Sequence, residues 1–159
     1  MLNDDGRVYL KRKLDEAKIR YLLFSGVREY SQTGISGKKE VYLVSKSKEE
    51  ESNHVILTEE IANYLKKFSD YVGINLSDSP DIVFDVNGKQ YAIEVENERI
   101  KDREKLAERV RNLKREYGKR WFFFVTNRNR VKVYRRFGIT YTKRNIKAKI
   151  KKIFRNSKK

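Results

Sequence analysis

The sequence predicts an α/β fold in which a central mixed β-sheet is flanked by helices. Three stretches support this: an alternating hairpin over residues 80–98, an amphipathic helix over residues 99–117 and an apolar strand over residues 121–126. Period-two alternation is typical of half-buried strands, and a continuous apolar run is typical of a strand covered on both faces. A strand–helix–strand connection of this length predicts that residues 121–126 run parallel to a strand of the hairpin.

The composition narrows the chemistry that is open to this chain. Its 159 residues suffice for one domain with its own core. There is no apolar run of membrane-spanning length and no leader pattern, so we expect a cytoplasmic protein, in the host cytoplasm if it is virus-encoded. The absence of cysteine excludes disulfides and thiolate sites, and the single His54 disfavours a Ser-His-Asp triad. If the protein is an enzyme, its catalytic groups would be carboxylates and lysines.

Positive charge is concentrated in the last quarter of the chain. The formal net charge is +16, and residues 119–159 hold 16 basic and no acidic residues. Such a block usually marks a nucleic-acid surface, and the many aromatic residues within it argue against a merely solvated tail. The predicted DNA-binding residues are Arg128, Arg130, Lys132, Arg135, Arg136, Lys143, Arg144, Lys147 and Lys151.

The first third of the chain predicts an extension that precedes the main sheet. Residues 1–9 are expected to be loosely ordered, and a helical stripe formed by Leu10, Leu14, Ala17, Tyr21 and Phe24 is expected to end near Ser25-Gly26. Two strands, 27–32 and 39–45, follow, joined by a hairpin loop that lacks P-loop spacing. Helix and hairpin are compatible with a winged-helix element or with extra layers on the main sheet. We expect residues 1–53 to form this extension and residues 54–159 the core, together in one compact domain.

The next two elements are predicted to be a loop and a helix. The polar residues 45–53 are typical of an exposed loop. Thr58 is a favourable N-cap residue, with Glu59 and Glu60 in the first turn. The buried stripe of this helix would consist of Ile61, Tyr64, Leu65 and Phe68.

The central hairpin gathers three acids. Asn87-Gly88 favours a two-residue type I′ turn, which pairs Ile82 with Ile93 and brings Asp81 opposite Glu94. Glu96 lies two residues further along the strand and therefore on the same face as Glu94. Like charges facing each other across strands cost roughly 0.2–1 kcal/mol. Either a divalent cation or nearby Lys and Arg side chains would offset that repulsion.

The remaining elements complete the predicted layers. Gly118 ends the helix over residues 99–117, and residues Val131, Val133 and Phe137 predict a further strand after residue 126. The tail carries an apolar helical stripe, consisting of Ile146, Ile150, Ile153 and Phe154. A DNA-facing helix, a membrane-surface helix and a solvated end are all compatible with the tail. We favour DNA, because the stripe is narrow and lacks tryptophan.

The hairpin acids resemble the motif of the PD-(D/E)XK nucleases, which have the restriction-endonuclease-like fold. Pro80-Asp81 matches the first part of the motif, and Glu94-Val95-Glu96 matches the second with Glu in place of the usual Lys. The order helix, hairpin, helix, strand over residues 57–137 also matches that family. Small size and a composition common in hyperthermophiles make the chain similar to small nucleases of archaeal viruses and mobile elements.

The resemblance implies a site and an activity. Asp81, Glu94 and the carbonyl of Val95 would hold Mg²⁺ or Mn²⁺, and Glu96 would be a third ligand or orient water. Lys101 or Lys105 would supply the missing lysine, and Glu60 is either an accessory acid or an ordinary helix-dipole partner. The implied enzyme is a deoxyribonuclease, sequence-nonspecific or structure-directed, that processes double-stranded or branched viral or plasmid DNA, in a fold that often dimerises.

Two other functions remain open at this point. The first is a DNA-binding protein on the same fold that has lost cleavage, which the missing lysine favours. The second is an RNA-binding or ribosome-associated accessory protein, which would account for the charge but not for the hairpin acids.

Overall fold

The computed structural model describes residues 8–45, 49–75, 78–97 and 100–157. Within these residues a three-stranded and a five-stranded sheet are combined with five α-helices. The strands are β1 (Val8–Leu10), β2 (Val27–Thr33), β3 (Lys39–Ser45), β4 (Val72–Ile74), β5 (Ile82–Val86), β6 (Lys89–Glu96), β7 (Trp121–Val125) and β8 (Thr140–Tyr141). The helices are α1 (Glu16–Phe24), α2 (Glu49–Leu65), α3 (Arg103–Tyr117), α4 (Arg128–Tyr134) and α5 (Ile146–Asn156).

The N-terminal sheet has the antiparallel order β1-β3-β2. The predicted hairpin of β2 and β3 is confirmed, and it adds no strand to the five-stranded sheet. The expectation of loose order is wrong for residues 8 and 9, while residues 1–7 lie outside the described part. Val8 pairs with Val44 and is buried against it, so the start of the described chain is fixed by strand pairing.

Helix α1 ends at Phe24 with Ser25 as its C-cap, close to the predicted end near Ser25-Gly26, but its buried face is not the predicted one. Asp15 caps the helix, and a 3-10 turn over Lys11–Lys13 separates it from Leu10. Leu22 is buried against the N-terminal sheet, whereas Tyr21 and Phe24 are 63% and 94% exposed. The predicted stripe was wrong because it extended a single helical period across the 3-10 turn.

Helix α2 begins earlier than predicted and joins the two sheets. The expected loop is helical from residue 49, residues 46–48 lie outside the described part, and Thr58 is a buried mid-helix residue rather than an N-cap. Ile56 belongs to the core of the N-terminal sheet, and its neighbour Leu57 belongs to the main core. The polar residues at the start of α2 predict a loop, but they are helical because α2 is stabilised by tertiary packing on two sides. The expected division at residues 53 and 54 falls inside α2.

The five-stranded sheet has the order β4-β5-β6-β7-β8 and is mixed. Strands β4, β5 and β6 are antiparallel, whereas β7 runs parallel to both β6 and β8. The hairpin register is confirmed, with Ile82 opposite Ile93 and positive φ angles of 49° and 75° at Asn87 and Gly88. The predicted α/β class, with helices flanking a mixed sheet, is confirmed.

Helices cover both faces of this sheet. One core includes Leu57 and Ile61 of α2 together with Ile146 and Ile150 of α5. The other lies under α3 and α4. All five residues of β7 are buried, as expected for a strand covered on both sides.

Two helices near the C-terminus differ in how well the sequence predicted them. The strand predicted from Val131 and Val133 is wrong: both lie in α4, because Asn127 caps a helix whose buried positions are Val131 and Tyr134. The strand here is β8, further along. The tail helix α5 is confirmed with its predicted apolar stripe, and residues 158–159 lie outside the described part. In the described residues, no helix combines the length and apolar character needed to cross a membrane.

Candidate acidic active site

The three hairpin acids converge on one cleft beside helix α3. Asp81 lies immediately before β5, while Glu94 and Glu96 lie on the same face of β6 because strand side chains alternate. All three line a cleft of about 660 Å³. Asp81 is 8% exposed and Glu94 only 2% exposed. Carboxylates this deeply buried require partners, because burial of an unpaired charge is costly.

Arginine 109 is the central partner of these acids. Its guanidinium donates one hydrogen bond to Glu94 Oε1 and another, of 2.9 Å, to Glu96 Oε1. Ser79 Oγ donates to the other oxygen of Glu94 over 2.9 Å, and the Tyr134 hydroxyl donates to the other oxygen of Glu96 over 2.9 Å. Helix α3 therefore supplies part of the positive charge that the hairpin acids require, which is one of the two predicted ways to offset their repulsion.

Asp81 has separate partners on the other side of the site. Its Oδ2 accepts a 2.7 Å hydrogen bond from the backbone N–H of Val95, which ties the start of β5 to β6. Its Oδ1 lies 3.2 Å from His54 Nε2, which comes from helix α2. The site is thus built from both layers of helices, with α2 contributing His54 and α3 contributing Arg109.

The electrostatics show a site that is short of positive charge. Burial, and next the charge of Asp81, raise the pKa of Glu94 from 4.5 to about 7. Burial also raises the pKa of Glu96, although the charge of Arg109 opposes the change. Burial by itself would lower the pKa of His54, but the hydrogen bond to Asp81 and its negative charge outweigh this, so that pKa is raised. An additional cation would be stabilised here.

The predicted metal ligands fit a hard cation by their chemistry. Asp81 and Glu94 present carboxylate oxygens, and the raised pKa of Glu94 reflects in part the unrelieved charge of Asp81. Each carboxylate oxygen has two lone pairs, so its present hydrogen bond leaves acceptor capacity. Within the described ranges, no three or more His, Cys, Asp or Glu side chains form a ready-made ligand cluster. Any metal site would therefore combine the two carboxylates with other oxygen atoms, such as the Val95 carbonyl.

The predicted accessory residues lie in two different places in the structure. Lys101 and Lys105 are exposed at the rim of the acidic cleft, near the position expected for a replacement lysine. Glu60 lines a different cavity, where it accepts hydrogen bonds from the backbone N–H of Ile35 (2.8 Å) and from the Tyr42 hydroxyl. Its observed contacts therefore attach the β2–β3 loop and β3 to α2.

The predicted DNA-binding residues are also divided, between the two helical layers. One group lies on and after α4, the layer that also contains α3: Arg128, Arg130, Lys132, Arg135 and Arg136. The other group lies before and on α5, in the layer that contains α2: Lys143, Arg144, Lys147 and Lys151. Most are exposed, but Lys143 is half-buried and donates a hydrogen bond to the carbonyl of Thr33. Desolvation lowers the pKa of Lys143.

Four residues of the site were not predicted from the sequence: His54, Ser79, Arg109 and Tyr134. Arg109 follows Lys105 at the i, i+4 spacing that places both on one side of α3, so it lies one turn from a lysine that the resemblance singles out. Ser79 directly precedes the motif. His54 and Tyr134 carry no local signal, because each reaches the acids only through the packing of α2 or α4.

Comparisons with known proteins leave the family open. No protein-family model matches the chain, and no curated protein matches it. A crystal structure of protein VC1899 from Vibrio cholerae aligns with 98% of this chain and 47% of its own length, with a TM-score of 0.47 and 11% identity. This chain thus spans less than half of that protein, and the similarity is too low to carry a fold or functional assignment.

Proposed function

We propose that this protein is a metal-dependent deoxyribonuclease of the PD-(D/E)XK type, with the restriction-endonuclease-like fold. The observation that carries the proposal is the convergence of Asp81, Glu94 and Glu96 on one cleft of a chain with a net charge of +16. A protein that only binds DNA gains nothing from buried carboxylates near phosphate. A phosphodiester hydrolase uses them to hold a cation.

Each residue of the site has a role in this proposal. Asp81, Glu94 and the Val95 carbonyl would hold Mg²⁺ or Mn²⁺, and the cation would supply an activated water and positive charge beside the phosphate. Glu96 orients water or acts as a further ligand, and it holds the guanidinium of Arg109 at 2.9 Å. Each terminal nitrogen of that guanidinium has a second N–H, which would be available to a phosphate oxygen in the cleft.

The residues at the rim and on the surface would position the DNA. Lys101 and Lys105, exposed at the rim of the cleft, attract the phosphate backbone towards the acids. The basic groups of α4 and α5 add contacts to the backbone that carry no sequence information, so cutting would be nonspecific or directed by DNA structure. Because the two groups lie in different helical layers, a branched or end-containing DNA can contact both. A homodimer is compatible with this arrangement.

A second candidate is a DNA-binding protein on the same fold without cleavage activity. The observation that favours it is that Arg109 bridges Glu94 and Glu96, while Glu96 itself stands where the related motif has a lysine. In that case Arg109 would be a permanent structural counter-ion and the acids would have no metal to bind.

Cleavage assays distinguish the two candidates. Linear, circular and branched DNA are incubated with Mg²⁺ or Mn²⁺ and with wild type, Glu94→Ala or the control Glu108→Ala, each at a concentration that saturates binding. Glu108 is an exposed residue of α3 and serves as the matched control. We expect wild type and Glu108→Ala to cut, and Glu94→Ala to bind without cutting. If all three bind and none cuts any DNA with either metal, the noncatalytic candidate is correct.

A further inference from the structure

A second cleft, of about 530 Å³, lies beyond the carboxyl ends of the parallel strands β6 and β7. Four side-chain amides line it, from Gln32, Asn53, Asn97 and Asn127. Among the described lining residues none is acidic, and Lys143 is the charged one. The crevice outside the carboxyl ends of parallel strands is a frequent ligand site in α/β proteins. Its lining differs sharply from that of the acidic cleft.

This amide cleft adjoins the acidic site through the chain itself. Asn53 directly precedes His54, which contacts Asp81. Asn97 directly follows Glu96, which is held by Arg109. The two clefts are therefore connected by neighbouring residues of α2 and of the end of β6, and we expect a nucleic-acid strand that crosses this edge of the sheet to reach both.

Gln32 provides an independent sign of a missing ligand. Its amide nitrogen is buried and has no hydrogen-bond partner in the part of the chain that the structure describes. Buried polar groups are satisfied in the great majority of cases, and each exception calls for an explanation. Because Gln32 also lines the cleft, a rotation of its amide would bring this nitrogen to an acceptor on a bound ligand.

Lys143 adds a cation to the wall of the same cleft. It donates to the carbonyl of Thr33, so the ammonium is held at the end of β2 rather than extended into solvent. An ammonium with three donors can make this contact and still bind a phosphate oxygen. The cleft thus combines planar amides with one fixed positive charge.

We infer that the amide cleft binds an unpaired nucleotide of the DNA strand that enters the acidic site, with its base on the amides and its phosphate on Lys143. A side-chain amide presents a donor and an acceptor in one plane, which matches the edge of a nucleobase. A base within a duplex is stacked and cannot enter such a cleft, whereas one at an end, flap or branch can. The inference rests on the proposed function in one respect, that DNA is the partner, and it narrows the substrate to DNA with unpaired nucleotides.

The test measures binding in EDTA, without metal, so that cleavage plays no part. Fluorescence anisotropy compares the affinity for a blunt duplex, for duplexes with short 5′ or 3′ overhangs, and for the same overhangs with abasic nucleotides. We expect wild type to bind at least one base-bearing overhang roughly tenfold more tightly than its abasic counterpart, since one amide–base pair contributes discrimination of that order. Equal affinities for wild type would overturn the inference without any variant.

Variants then locate the base. Gln32→Leu removes an amide that has no partner for its nitrogen, so the fold is expected to tolerate it, and Asn97→Ala removes a second amide. Both should abolish the tenfold preference while leaving affinity for the abasic DNA unchanged. Arg155→Met, an exposed change on α5, is the control and should keep the preference. If the preference survives in both amide variants, the base binds elsewhere and the inference is wrong.

The two proposals fail in different ways. If the protein discriminates bases through these amides but cuts no DNA, the inference about the amide cleft stands and the nuclease proposal is wrong. If the protein cuts DNA but binds abasic and base-bearing overhangs with equal affinity, the nuclease proposal stands and the inference about the amide cleft is wrong.

Discussion

Replacing Glu94 by glutamine isolates the electrostatic cost of the buried acidic site. The side chain of Glu94 is 2% exposed, and its pKa is raised to about 7, first by burial and then by the charge of Asp81. Glutamine has nearly the same shape and keeps a carbonyl oxygen for Arg109, but it cannot ionise. The variant therefore resembles the protonated wild-type site at every pH.

The sign and size of the effect follow from proton linkage. Below pH 4.5 both folded and unfolded wild type carry the proton, and the full stability is present. Between pH 4.5 and about 7 the folded protein retains a proton that the unfolded chain has released, so the free energy of unfolding falls as the pH rises. A change in pKa from 4.5 to about 7 corresponds to about 3 kcal/mol. Glu96 and His54, whose pKa values are also raised, add to the wild-type loss with the same sign.

Urea denaturation in metal-free buffer at several values between pH 5 and pH 8 measures this difference. We expect the stability of Glu94→Gln to fall less steeply than that of wild type, and to exceed it at pH 8 by about 3 kcal/mol. The control Glu108→Gln alters an exposed carboxylate on the neighbouring helix α3 and should follow wild type. Parallel pH profiles for wild type and Glu94→Gln would refute the idea that Glu94 is buried at an electrostatic cost.

Three further predictions concern other parts of the molecule. Tyr134→Phe removes the hydroxyl that donates to Glu96 and should lower the free energy of unfolding by about 1–3 kcal/mol in urea; no change would show that this hydrogen bond is unimportant. Ile150→Ala should cost about 2–5 kcal/mol because the residue is fully buried, whereas the exposed neighbour Lys151→Ala should change stability by less than about 0.5 kcal/mol; equal effects would contradict the placement of α5. If Arg135 contacts a phosphate, Arg135→Gln should make the log–log dependence of DNA affinity on salt shallower by about 0.9; an unchanged slope would exclude that contact.

The hairpin could be predicted in register because its determinants are local. A two-residue Asn87-Gly88 turn leaves one pairing of the flanking strands, and the alternation then fixes which side chains share a face. The convergence of Asp81 with Glu94 follows from the same argument. Strand β7 could also be predicted, because a strand of five consecutive apolar residues has no polar face that favours contact with water.

The rest of the site depends on tertiary packing, which the sequence does not display. Arg109 is one of many basic residues in the chain, and its contact with two acids depends on how α3 lies on β6. A single histidine such as His54 carries no site signal in the sequence, yet α2 places it beside Asp81. The division of the basic residues between two layers follows from placing α4 and α5 on opposite faces of the sheet. Charge counting alone cannot show this.

Helix α2 makes the two sheets a single cooperative unit. Adjacent residues Ile56 and Leu57 are buried in different cores, so unfolding of α2 exposes a buried side chain in each core. Heat should therefore melt both sheets in one calorimetric transition rather than two. A fragment that starts within α2 would lose part of the surface that buries Ile56. Since the same helix carries His54 to Asp81, partial opening of the N-terminal sheet would also disturb the acidic site.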